Sequence, residues 1–129
     1  MLNLESKKVV VKKSAEELFD YLNELQNLYG LMPESVERFE ADNDTFLFGM
    51  KGMPDVRLLV EERQRPNLMR FKSASSKLDF TLQANIEAKD SASELHFTFT
   101  GNFNAMMRMM VERPLKNFIE DLASNAAKL

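Results

Sequence analysis

A lone histidine, an even scatter of carboxylates and the complete lack of cysteine bound the chemistry open to this chain of 129 residues. With no cysteine there can be no disulfide, thiolate nucleophile or cysteine-based metal site. His96 alternates with Leu95 and Phe97, so it should face solvent from the outer side of a strand. A histidine there cannot serve a Ser-His-Asp arrangement, and one histidine without cysteine makes an ordinary zinc site unexpected. Asp and Glu number 20, and most fall in turns or at positions expected to be wet. Glu62 is the exception, because it shares strand phase with Val56, Leu58 and Val60. A carboxylate held among apolar neighbours would have a raised pKa and could act as an acid; at a strand end it would instead reach water. Arg108 lies at the edge of an apolar helical stripe. An Arg108–Glu62 pair would either orient a ligand carbonyl or serve as a structural ion pair. Tyr29 is the third polar group that could reach an interior space. The segment Gly49-Met50-Lys51-Gly52 has neither the length nor the Lys-Ser/Thr ending of a phosphate loop.

The elements that must position these groups follow from periodicity. Leu2 to Lys13 reads as one strand centred on Val9, Val10 and Val11. Ser14 and Glu17 form a capping box, and Leu18, Tyr21, Leu22 and Leu25 follow at helical spacing. A short helical turn over Glu24 to Leu28 should end at Gly30 and Pro33. From Ser35 to Phe103 the pattern is a run of antiparallel strands. Val36 to Ala41 is short and irregular, and Asp42-Asn43-Asp44 is a turn. Phe46, Phe48 and Met50 then alternate with Leu47 and Gly49, and Gly52 to Asp55 breaks the run. Val56 to Arg63 comes next, then a turn at Arg65 to Asn67, then Met69, Phe71 and Ser73 in phase. Leu78 to Glu87 is the clearest half-buried strand, Asp90 to Ser93 is a turn, and Leu95, Phe97 and Phe99 alternate with His96, Thr98 and Thr100. Such alternation implies an antiparallel sheet with one wet face. Asn104 should cap a helix from Ala105 to Lys128, roughly 36 Å long. Its apolar stripe is Met107, Val111, Pro114, Leu115, Phe118, Leu122, Ala126 and Leu129. Pro114 should bend it near Met110.

A net charge of −3 disfavours a nucleic-acid partner. No stretch approaches the 18 to 20 apolar residues, roughly, of a membrane span, and charges arrive before any signal-like apolar run. A cytoplasmic protein without integral membrane association is therefore expected. The length fits one domain over residues 1–129. Ten Phe and nine Met with no Trp imply a soft, adaptable interior. Lys7, Lys8, Lys12 and Lys13 make the first strand basic, which protects a sheet edge.

Strand, two short helices, about six strands and a long helix is the order of a curved antiparallel sheet wrapped around a C-terminal helix, an α+β architecture. That order resembles the helix-grip fold of the START and Bet v 1-like superfamily, also called SRPBCC, over the whole chain. The helix opening Ser14-Ala15-Glu16-Glu17-Leu18-Phe19-Asp20-Tyr21-Leu22 after strand one is similar to the family's common beginning. Leu31-Met32-Pro33 before a strand looks like its second-helix exit. The resemblance implies an interior cavity that holds lipids, sterols, polyketides, plant hormones or aromatic compounds. Some members are cyclases, dehydratases or oxygenase domains, others only carry ligands, and one branch assists a chaperone ATPase.

The expected function is binding of a small apolar ligand between sheet and helix, with no cofactor. Strand residues Phe46, Phe48, Leu58, Phe71, Phe80, Leu82, Phe97 and Phe99 would line the site with helix residues Met107, Met110, Val111 and Phe118. Its volume should be that of ordinary small-molecule sites, about 300–1,000 Å³. The alternatives are a cyclase or dehydratase using Glu62, Arg108 or Tyr29, and a co-chaperone-like interaction module. Met106 and Met109 point away from the stripe and suit a dimer contact, so a monomer or weak homodimer is expected.

Overall fold

Extra residues inserted into strand pairs decide which side chains face the interior. The fold is described from a computed structural model, covering residues 1–75 and 78–129. The expected first strand is two strands, β1 (Leu2–Glu5) and β2 (Val9–Val11), both antiparallel to β8 (Ala92–Gly101). Glu5 sits opposite Thr98 and Val9 opposite Leu95, so four steps on one side match three on the other. Ser6 bridges the fault. Its N–H donates to the Phe97 carbonyl, and its hydroxyl accepts from the Phe97 N–H, both at 2.8 Å. The hydroxyl thus replaces a ladder carbonyl, as a buried backbone donor requires.

β2 ends at Val11, and Ser14 starts α1 (Ala15–Asn23). Its hydroxyl accepts from the Glu17 N–H and the Glu17 carboxylate accepts from the Ser14 N–H, closing the expected capping box. Leu18, Phe19 and Leu22 are buried, while Tyr21 is only partly so. The following turn is a 3₁₀ helix over Leu25–Leu31 that continues through Gly30. Its three-residue period stacks Leu25, Leu28 and Leu31 on one buried row, a spacing that an α-helical reading breaks off at Leu28.

The sheet then meanders through β3 (Val36–Ala41), β4 (Thr45–Met50), β5 (Val56–Gln64), β6 (Leu68–Ser73), β7 (Phe80–Lys89) and β8. The order is β1-β8-β7-β6-β5-β4-β3, antiparallel throughout, with β2 also on β8. In β5, Val60 faces Phe71 but Glu62 faces Arg70, so Glu61 is the extra residue of a bulge. β7 begins at Phe80 rather than Leu78. The β7–β8 turn is only Asp90-Ser91, with Asp90 at φ 58°, a left-handed value that Asp tolerates. Ser93, read from sequence as part of the turn, is therefore a buried strand residue.

Asn104 caps α2 (Ala105–Ala126) by accepting from the Met107 N–H at 2.8 Å. The helix is about 33 Å long and runs through Pro114. All six of its buried residues, Leu115, Phe118, Ile119, Leu122, Ala123 and Ala126, lie beyond that proline. Its second half is also tied by polar contacts. Asn125 donates to the Leu31 carbonyl at 2.9 Å, Glu120 accepts from the Lys7 N–H at 2.5 Å, and the Lys116 ammonium donates to the Glu5 carbonyl. This is the helix-grip arrangement: a curved sheet closed by one long helix, with short helices filling one end.

Leu122 is 3% exposed, so Leu122→Ala should destabilise the fold by about 2–5 kcal/mol in urea denaturation. A change below about 0.5 kcal/mol would show that the last turns do not carry core. At the β3–β4 turn, the Asp42 carboxylate accepts from the N–H groups of Asp44 and Thr45 and from the Thr45 hydroxyl. The Asp44 and Thr45 amides hold its pKa below the ordinary Asp value. A carboxylate depressed by folding adds stability above its unfolded pKa and loses it as pH falls through the folded value. Asp42→Ala should therefore lower the urea midpoint at neutral pH, and the gap to the parent should close on acidification below the ordinary Asp range. A gap independent of pH would rule out the carboxylate as its source.

Candidate functional site

Beyond the reach of α1, the inner face of β4, β5, β7 and β8 meets only α2, between Met107 and Phe118. There a cavity of about 140 Å³ lies between them. Phe48 and Met50 of β4, Val56 and Leu58 of β5, Phe80 and Leu82 of β7 and Phe99 of β8 form the sheet wall. Met107, Met110, Val111, Leu115 and Phe118 form the helix wall. Leu78, Phe103 and the loop residues Gly52, Met53 and Pro54 complete the lining. Gly52 turns this loop at φ +83°, a conformation that a side chain makes costly. Gly101 matters differently: a Cβ there would stand 2.5 Å from the Phe103 ring, so the missing side chain is what lets Phe103 fold onto the sheet.

The walls are largely ring faces. Phe48 and Phe118 stack across the sheet–helix gap with centroids 4.5 Å apart and planes within 7°. Phe80 stacks on Phe99 at 5.0 Å, and Phe103 lies 6.3 Å from Phe99. These contacts explain why the space is smaller than the 300 Å³ lower bound expected from the sequence. The Phe48–Phe118 pair spans the gap from sheet to helix at the cavity wall. Phe46 and Phe71, expected as lining, instead meet each other edge to face at 5.1 Å in the solid core, and Phe97 is likewise core rather than lining. Aromatic side chains have satisfied one another where they were expected to border space.

Of the twelve residues named from sequence, the cavity gathers nine: Phe48, Leu58, Phe80, Leu82, Phe99, Met107, Met110, Val111 and Phe118. Met110 is 68% exposed, so it rims the opening rather than pointing fully inward as expected. Met106 and Met109 are exposed, on the side anticipated for them. Sequence reasoning missed Met50 and Val56, although both are in phase with Phe48 and Leu58. It had no means of finding Phe103 or the Met53 loop, which belong to no periodic segment.

None of the three polar groups reaches this space. The β5 bulge rotates Glu62 to the outer face, where its carboxylate lies 3.7 Å from Arg70 and accepts from Gln64 at 2.5 Å. Arg108 turns along its own helix and donates to Glu112 at 3.2 Å, so no Arg108–Glu62 pair exists. Tyr29 is exposed, its ring tilted against Phe39. His96 is on the outer face as its phase requires, half-covered, with Nε2 3.8 Å from a Glu5 carboxylate oxygen. The carboxylates with lowered pKa serve the frame: Glu17 through the Ser14 N–H and hydroxyl, and Asp20 through the Arg65 guanidinium, which donates at 2.8 and 3.0 Å. Among the described residues no three His, Asp or Glu side chains gather as a metal site, and no helix is long and apolar enough to cross a membrane.

No protein-family model matches the chain, and no curated protein matches its sequence. Solved structures do match its fold. A Thermus thermophilus protein, TTHA0849, superposes with a TM-score of 0.76 at 16% identity, over 98% of this chain and 95% of that one. Norcoclaurine synthase from Thalictrum flavum, a point mutant in complex with a transition-state analogue, gives 0.70 at 9% identity, over 98% and 94%. Aha1 from Colwellia psychrerythraea, solved as a dimer, gives 0.59 at 14%, over 93% and 97%. Likeness at identities this low shows the fold alone, the helix-grip architecture.

With Glu62 on the outer face, Glu62→Gln should leave occupancy of the cavity unchanged and shift stability by no more than about 0.5 kcal/mol. Methyl NMR of the cavity methionines during titration with an apolar ligand reads the first, and urea denaturation the second. Loss of binding in this variant would return the carboxylate to the interior.

Proposed function

We propose that this chain binds a small apolar molecule in the cavity between its sheet and α2. The observation that carries this reading is an interior space lined, among the described residues, without a single charged or hydroxyl side chain and rimmed by methionines and a glycine-containing loop. Leaving such a space empty costs about 3 kcal/mol on the scale measured for emptied cores, and a guest that fills it recovers part of that cost. Apolar rings and flexible thioethers suit a guest held by contact rather than by directed hydrogen bonds. The same lining argues against a cyclase or dehydratase, because it supplies no acid or base within reach of a bound substrate.

Titration with benzene, followed by the methionine methyl resonances in NMR, tests the reading. Saturable binding at one molecule per chain is expected. Val111→Trp should fill the space from the helix side and abolish binding while the far-ultraviolet circular dichroism is kept. Absence of saturable binding in the parent, or binding indifferent to Val111→Trp in a folded protein, would overturn it.

A further inference from the structure

We infer that the cavity is built for a single uncharged aromatic ring, in preference to an acyl chain, a saturated ring or a ring bearing several polar groups. This rests on the reading of the cavity as a ligand site and narrows it to a chemical class.

Size gives the first restriction. Apolar cavities of roughly 150 Å³ hold benzene, and the space here is about 140 Å³. One ring with a small substituent occupies it fully. A long acyl chain would have to leave most of its length outside, because a space this small, with the Phe48–Phe118 stack at its wall, does not hold it.

The character of the walls gives the second. Phe48 with Phe118, and Phe80 with Phe99, each present nearly parallel rings, with planes 7° and 22° apart. A flat aromatic guest extends such an array, laying its face or edge against existing rings in the offset and edge-on geometries that aromatic quadrupoles favour. Thioethers of Met50, Met53 and Met107 border the same space, and sulfur at a ring edge adds a further attraction that a saturated ring does not receive.

Polarity gives the third. Among the described residues no lining side chain carries a hydroxyl, amide or charge, so a hydroxyl or carboxylate taken inside loses its water without a partner from them. One polar substituent can be tolerated at the opening beside Met110, which is largely exposed. Several around one ring cannot all reach it.

Toluene and methylcyclohexane have seven carbons each and differ in the π-system, so they isolate the second restriction. The full chain, labelled at its methionine methyl groups, is titrated separately with each, and with 1,3,5-trihydroxybenzene and dodecanoate. Toluene should shift Met50, Met53 and Met107, leave the buried but remote Met69 in place, and bind about tenfold more tightly than methylcyclohexane. Trihydroxybenzene should cause no saturable shift, and dodecanoate should bind more weakly than toluene. Val111→Trp should abolish the toluene response. Equal or tighter binding of methylcyclohexane, or tighter binding of dodecanoate, overturns the aromatic assignment and leaves the carrier reading standing. Failure of every compound to bind overturns both.

Discussion

One helix has one apolar stripe, and an eight-stranded sheet has more inner face than that stripe can cover. The rest of this molecule is arranged around that shortage. At one end the deficit is met by α1 and the 3₁₀ helix, whose Leu18, Phe19, Leu22, Leu25 and Leu28 are buried. There the second half of α2 is gripped, and Ile119 and Ala123 join the expected stripe as fully buried residues. At the other end no second layer exists. The first half of α2 covers β4, β5 and β7 alone, with only Met107 and Val111 partly buried before Pro114. Proline cannot donate a backbone hydrogen bond to the preceding turn, and it stands at the boundary between the gripped and ungripped halves. The cavity is thus what remains when a fixed helix length meets an uneven supply of covering elements.

Bulges then determine which strand residues face inward. A strand shifted by one residue exchanges its two faces. Without the extra residue at Glu61, the alternation of β5 would carry Glu62 inward behind Val56, Leu58 and Val60. With it, Glu62 joins Arg70 and Glu61 outside. The strand's far end is redirected as well, and Arg63 donates to Asn23 of α1 at 2.6 Å. The apolar purity of the interior is therefore a consequence of one inserted residue as well as of composition. Ser6 performs the same rephasing on the N-terminal strands, where its hydroxyl substitutes for a carbonyl.

Much of this was legible in the sequence because it depends on local periodicity. Ser14 with Glu17, Asn104, the alternation of Phe80 to Ile86 and the outward His96 are each fixed by neighbours within four residues. The features that escaped depend on partners distant in the chain. A bulge leaves no mark in the strand that carries it, since Glu61 looks like any other alternating residue until Phe71 and Arg70 are set against it. Whether a phenylalanine borders space or fills it also depends on a remote ring: Phe46 is taken by Phe71, and Phe48 by Phe118. Counting inward aromatics overstated the volume, because pairs of rings close against each other before they leave room for a guest.

The distribution of polarity across the sheet follows from the same division. The outer face carries a continuous series of bonded side chains: Arg70 donates to Gln83 at 2.9 Å, Gln83 to Asn85 at 2.5 Å, and Asn85 reaches Thr98 at 3.4 Å. Each of these groups finds a partner at the cost of little burial. Among the described residues the inner face offers no such series, and a fully buried hydroxyl there, Ser93, has no hydrogen-bond partner among them. Chemistry that needs a charged group to stay charged belongs to the outer side, where water and neighbouring ions support it. Chemistry of contact and shape belongs to the inner side, where water is excluded and dispersion between close-packed rings and thioethers is the force on offer. On the proposed reading, a molecule held in this interior would be selected for what it lacks, a polar group in need of a partner, as much as for its fit to the walls.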